Sequence, residues 1–327
     1  MPVQTKIGAV LNMRYQIERI IGQGGYGCIY LAEDLRLSGR LCAVKEVEYD
    51  PLLTPEILKE AREQFMREAT VLARLDHPNL PKVSDFFSIE NNDYLVMDYV
   101  PGDDLRTLML RASQSNQFLA ERDVLSWATQ IGNALSFLHE QDPPILHRDI
   151  KPSNLKLTPN GFIKLVDFGL VKLLAPGEVT ITILQGQGTA LYTPLEQYGG
   201  DSAHTDARSD VYAFGATLYH LLTNQAPANV RDRFLDPSSL IAPRTINPAI
   251  STRVERAILW AMQLHPTDRP KNVRAFLDTL ATDRMPLPNH RQPVQPIALL
   301  QPLEKTLIGI LGGLTLLSLI LTLINNL

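Results

Sequence analysis

Residues 306–324 read TLIGILGGLTLLSLILTLI, a run of 19 positions without Asp, Glu, Lys or Arg. A helix built from this run is apolar on every face, and a helix of a globular domain seldom stays so for this length. At about 1.5 Å per residue it spans nearly all of the roughly 30 Å hydrocarbon core of a bilayer. The run predicts a transmembrane helix, with Asn325, Asn326 and Leu327 as a short tail. Ahead of it, residues 285–303 carry Pro286, Pro288, Pro293, Pro296 and Pro302. Each proline fixes φ and lacks an N–H, so this stretch predicts an extended spacer, within a linker over 282–305. Residues 1–14 read as an N-terminal tail. Pro2, Gln4, Thr5 and Lys6 interrupt any apolar run there, so no secretory signal is expected. The globular fold is thereby confined to residues 15–281.

Composition narrows what that body does. The 327 residues hold 31 Lys+Arg against 35 Asp+Glu, a formal charge of −4, and 45% are hydrophobic. Abundant apolar residues at low net charge exclude disorder. The absence of a positive excess argues against a nucleic-acid partner. Only Cys28 and Cys42 occur, which excludes a disulfide scaffold and suggests a reducing compartment. The tail carries +2 from Lys6 and Arg14, and the linker a net +1. Removing both from the whole-chain −4 leaves −7 on the body.

Within the body the hydrophobic period changes once. Residues 15–21, 28–33, 41–48, 83–89 and 94–99 have strand character. Between the third and fourth, Thr54 and Pro55 supply an N-cap and a first helical residue. Ile57, Leu58, Ala61, Phe65, Ala69, Leu72 and Leu75 then recur at helical spacing. After Pro101 and Gly102 the pattern turns helical, as in 124–139 and 208–222. The expected class is α+β, a strand-rich unit with one helix followed by a mostly helical unit.

Gly22-Gln23-Gly24-Gly25-Tyr26-Gly27 fits G-x-G-x-x-G, but a strand-like segment follows it where a dinucleotide fingerprint needs a helix. Glycines between two strands make either an ordinary turn or a hairpin whose backbone closes over phosphates. Lys45 follows on a later strand, where burial would require a carboxylate partner, and Glu68 on the predicted helix is the candidate. His147-Arg148-Asp149-Ile150-Lys151-Pro152-Ser153-Asn154 precedes Asp167-Phe168-Gly169 by 13 residues. Phosphoryl transfer from a nucleotide needs cation-holding oxygens and a carboxylate that orients the acceptor hydroxyl. Asn154 and Asp167 offer hard oxygens suited to Mg²⁺, Asp149 can accept the hydroxyl proton, and Lys151 can neutralise the moving charge.

In this order and spacing the residues resemble the eukaryotic-like (bacterial-type) serine/threonine protein kinases, over about residues 15–280. The resemblance implies a bilobal fold with a small lobe over 15–97, a hinge over 98–104 and a large lobe over 105–281. ATP would lie between the lobes, against Ile21, Gly22, Gln23, Gly24, Gly25, Tyr26, Gly27, Ile29, Ala43, Met97, Asp98 and Val100, with Lys45 paired to Glu68. Asp149, Lys151 and Arg148 would form the catalytic loop, and Asn154 and Asp167 would hold Mg²⁺ or Mn²⁺. Thr189 would belong to the loop that meets the residue after the acceptor. Glu196 would pair with Arg269, and Asp210 would brace the Arg148 loop. Lys151 matches the serine/threonine type. Two departures stand out. The usual A-P-E is Pro194-Leu195-Glu196, and Lys156 replaces the apolar floor of the adenine pocket. Either the Lys156 stem covers the base with its charge turned outward, or ATP affinity falls.

The same resemblance makes Thr180 and Thr182 candidate phosphosites, because loop phosphate orders such loops through arginine contacts. The expected partners are protein substrates, the membrane and, through Gly309-x-x-x-Gly313, a second copy of the chain. Arg284, Arg291 and Lys305 all precede the apolar run, so the body is expected on the cytoplasmic side of a bacterial plasma membrane. With three residues beyond the run, direct sensing of an external ligand is not expected. The competing readings are a membrane-anchored pseudokinase that signals by docking, and a small-molecule kinase of the same fold.

Overall fold

Alternation of side chains along residues 15–47 and 83–98 gives a sheet with two different faces. In the computed structural model, which describes residues 6–24, 27–49, 52–167, 190–198 and 205–282, six strands form that sheet. They are β1 (Val10–Leu11), β2 (Tyr15–Gly24), β3 (Gly27–Asp34), β4 (Leu41–Val47), β5 (Val83–Ile89) and β6 (Asn92–Asp98). Their order is β1-β2-β3-β4-β6-β5, with every neighbour antiparallel. The inner face carries Ala43, Val47, Leu95 and Met97 into the main core, against Phe65, Ala69 and Leu72. The outer face carries Tyr15, Ile17, Tyr30, Cys42, Val44, Tyr94 and Val96 into a second, smaller core.

The expected helix is α1 (Pro55–Ala73), and Thr54 caps it by accepting from the Ile57 amide at 3.4 Å. The expected strands all form. The glycine-rich residues form a hairpin between strands, since Gly22 to Gly24 and Gly27 stay in the β2–β3 ladder, with Gly24 opposite Gly27. Strand β1 was hidden in the expected tail, since two residues carry no readable alternation.

The large lobe contains α2 (Leu105–Gln114), α3 (Glu121–His139), α4 (Ala207–Thr223), α5 (Val230–Leu235), α6 (Pro243–Ile246), α7 (Thr252–Ala261) and α8 (Val273–Ala281). Helix α4 is buried on nearly every side. Gly215 lets it approach α7, since a Cβ there would lie 2.7 Å from the Ala261 Cβ. A small sheet, β7 (Asp103–Asp104), β8 (Leu155–Leu157) and β9 (Ile163–Leu165), frames the chain between α3 and α4. All described residues belong to one compact unit, Met1–Met285. Among them no helix is long and apolar enough to cross a membrane; residues 306–324 lie outside the described residues.

Candidate active site

The segment that follows α3 is held by one buried carboxylate. Asp210, near the start of α4, accepts hydrogen bonds from the backbone amides of His147 (2.9 Å) and Arg148 (2.8 Å), and lies 2.8 Å from His139 Nε2. Burial alone would raise its pKa. The His139 contact, the nearby histidine charges and the Arg148 amide outweigh burial and hold the carboxyl below its ordinary range. The brace fixes a costly backbone, with Arg148 in the left-handed region at φ 63°. Three residues on, Lys151 Nζ donates to Asp149 Oδ2 at 2.9 Å. Asn154 Nδ2 donates to the same oxygen at 3.1 Å and to the Asp149 carbonyl at 2.8 Å. The amide nitrogen of Asn154 is thus committed to Asp149, which leaves its oxygen for a cation.

Asp167 follows β9 in a second left-handed conformation, φ 62°, and its carboxylate is ion-paired with Lys45. Lys45 lies opposite Ile29 on β3 and Leu95 on β6. Ile21 and Ile29 pack against the main core that contains Ala43 and Met97, and Ala43 faces Met97 in register. These side chains form an apolar wall beside a lysine. Gln23 is exposed on β2; Gly25 and Tyr26 lie outside the described residues. The Asp98 amide donates to the Lys82 carbonyl at 2.9 Å, and Val100 is buried. Lys156 is half-buried on β8, opposite Asp104. An apolar wall, a cation beside a carboxylate, and the Asn154 and Asp167 oxygens fit a nucleotide with a divalent ion.

One expectation is overturned. Glu68 does not pair with Lys45. It accepts from Gln64 Nε2 at 2.6 Å within α1, and its other oxygen is buried without a hydrogen-bond partner among the described residues. Glu68 sits on the face of α1 that lines a cavity together with Arg148, whose charge it feels, and not beside Lys45. Gln64, Glu68, Leu72, His139, Ile145 and Arg148 line a cavity of about 670 Å³. Burial raises the Glu68 carboxyl to about 7, against the opposing Gln64 hydrogen bond and the charges of Arg148 and Arg67.

The expected pair in the large lobe is present. Arg269 donates to both Glu196 oxygens, at 2.6 and 3.0 Å, and Ser209 Oγ donates to one of them at 2.7 Å. The same guanidinium reaches the carbonyls of Gln263 and Leu264, so it is saturated although buried. The displaced proline therefore leaves the role of Glu196 intact. Thr180, Thr182 and Thr189 lie outside the described residues. His139 was not anticipated, because nothing local marks the last residue of a helix as a partner of Asp210.

Residues 15–280 match the family described as protein kinase domain. The chain belongs to the protein kinase family. It is 33% identical over 282 residues to a probable serine/threonine-protein kinase of Clostridium acetobutylicum, covering 84% of this chain and 40% of that protein. It is 34% identical over 271 residues to the serine/threonine-protein kinase PrkC of Bacillus subtilis, covering 80% of this chain and 39% of that protein. This kinase-family chain thus spans well under half the length of both relatives. Among solved structures it is similar to the apo form of PpkA-294, with TM-score 0.69, 25% identity, and coverage of 84% of this chain and 98% of that one. The Mycobacterium tuberculosis PknI kinase domain follows at TM-score 0.64 and 27% identity, over 84% of this chain and 98% of that one. The bilobal kinase fold, a β-sheet small lobe and a helical large lobe, is the fold of this chain.

Proposed function

We propose that this protein is an ATP-dependent serine/threonine protein kinase acting on protein substrates. The observation that carries the reading is the cluster of Asp149, Lys151 and Asn154 beside the Lys45–Asp167 pair. Asp149 accepts the proton of the substrate hydroxyl as that oxygen forms a bond to the γ-phosphorus, and the bond to the bridging oxygen of ADP breaks. Lys151 orients Asp149 and stands beside the moving negative charge. A divalent ion held by Asn154 and Asp167 would neutralise phosphate oxygens.

The kinase domain, by this reading, is tethered by residues 282–305 to a membrane helix at 306–324 and faces the cytoplasm. It phosphorylates itself on Thr180 or Thr182, aided by pairing through Gly309 and Gly313. The charge-free run and the basic residues before it support the anchor.

The test incubates the full chain with Mg²⁺ and labelled ATP beside Asp149→Asn. A loss of transfer of at least about 100-fold at an unchanged melting temperature is expected. Undiminished transfer would refute the role of Asp149. A wild-type chain that binds ATP yet transfers nothing would establish the pseudokinase reading, which the separation of Glu68 from Lys45 favours.

A further inference from the structure

Strand β4 carries Lys45 on its inner face and Glu46 on its outer face. The Glu46 side chain is fully buried, at 0% exposure. It accepts hydrogen bonds from Tyr30 (2.7 Å), Asn92 (2.6 Å) and Tyr94 (2.8 Å), and is ion-paired with Lys6. Lys6 also donates to the Tyr94 hydroxyl at 3.3 Å and stands 5.7 Å from the centre of that ring. The chain after Lys6 is stitched to β2. The Gly8 amide donates to the Ile17 carbonyl at 2.8 Å, and the Ile17 amide donates back to Ala9 at 2.9 Å. An aromatic face is a poor place for a lone carboxylate. Burial by itself would lower the Lys6 pKa and raise that of Glu46. Their mutual hydrogen bond and charge, with the tyrosine hydroxyls, reverse both shifts.

The Glu46 backbone touches the other phosphate-facing element. A Cβ on Gly27 would fall 2.1 Å from the Glu46 carbonyl oxygen, so the glycine hairpin lies directly against this residue. Glu46 is thus the chain neighbour of Lys45 and is packed directly against Gly27. We propose that Glu46, locked by Lys6, is a positioning residue that holds Lys45 and Gly27 in place for the nucleotide. Lys6 supplies the charge that allows Glu46 to stay buried. Without it, β4 shifts outward to hydrate the carboxylate, and Lys45 leaves the cleft.

The proposal rests on the nucleotide site described above but not on turnover, so its test is binding of ATP with Mg²⁺ to the full chain by calorimetry. Lys6→Met is expected to raise the ATP Kd about tenfold or more, because small displacements of positioned groups have large effects. Lys6→Arg should stay near wild type. Lys6→Met/Glu46→Gln, which removes both charges and keeps an acceptor for the tyrosines, should recover most of the affinity. Melting temperatures without nucleotide separate loss of fold from loss of position. Wild-type affinity in Lys6→Met overturns the proposal, as does an equal loss in Lys6→Arg. Where Lys6→Met does not fold, the double variant decides. Near-wild-type affinity supports the lock, and a tenfold loss overturns it. A wild-type chain that binds ATP without transfer refutes the kinase reading and leaves this one standing.

Discussion

Lys45 is ion-paired with Asp167, while Glu68 is held by Gln64 on its own helix and faces Arg148. The lysine and the helix glutamate are brought near the cleft by different elements, so their pairing depends on how α1 is rotated against the sheet. Here Glu68 has one buried oxygen without a hydrogen bond among the described residues, which is the state a proton stabilises.

That state has a pH signature. The Glu68 carboxyl is raised from 4.5 to about 7 in the folded chain. Between those values the folded protein binds more protons than the unfolded one, so stability falls as pH rises. The contribution is complete below the ordinary carboxylate value and lost above about 7. Glu68→Gln should flatten the fall in melting temperature from pH 5 to 8, by roughly 2–4 °C for each kcal/mol involved. Parallel curves for the two proteins would show that Glu68 is ordinary.

The Glu196–Arg269 pair predicts a large and specific loss. Removing one partner leaves the other buried and uncompensated, at about 3–5 kcal/mol. Arg269→Leu should therefore lower the urea midpoint strongly. Arg122→Ala serves as the control, since that arginine meets Asp123 at 92% side-chain exposure and its loss should stay below ~1 kcal/mol. Equal effects of the two substitutions would contradict the burial argument.

Two glycines of one motif should respond differently. Gly27 has φ 129°, and an added Cβ would collide with backbone, which must move. Gly27→Ala should strain the hairpin by about 1–3 kcal/mol and weaken ATP binding. At Gly22 the nearest described atoms to a Cβ would be those of the Ile29 side chain at 3.5 Å, an ordinary contact. Gly22→Ala should leave ATP binding close to wild type. Equilibrium ATP titrations of both variants decide the matter; matching losses would remove the steric distinction.

Much of the site was legible because its parts are local. Asp149, Lys151 and Asn154 lie within one short loop, and the hydrogen bonds between them need only its backbone to be set. The Thr54 cap and the apolar spacing of α1 were readable for the same reason. The Glu196–Arg269 pair crosses 73 positions, and only the family resemblance pointed to it. His139 at Asp210, strand β1 and the Lys6–Glu46 lock left no local trace, because each exists only once distant segments meet.

From the sequence alone come the order of the elements, the candidate reacting groups, and a charge-free run over residues 306–324. These follow from side-chain periodicity and covalent spacing, which hold before the chain folds. The partners of Lys45, Glu46 and Glu68 were decided by tertiary structure alone. Which carboxylate holds Lys45, and what keeps Glu46 buried behind it, depend on helix rotation and on the face of a strand. Electrostatic energy in a buried site changes steeply over such distances, so the motifs alone do not fix which charges meet.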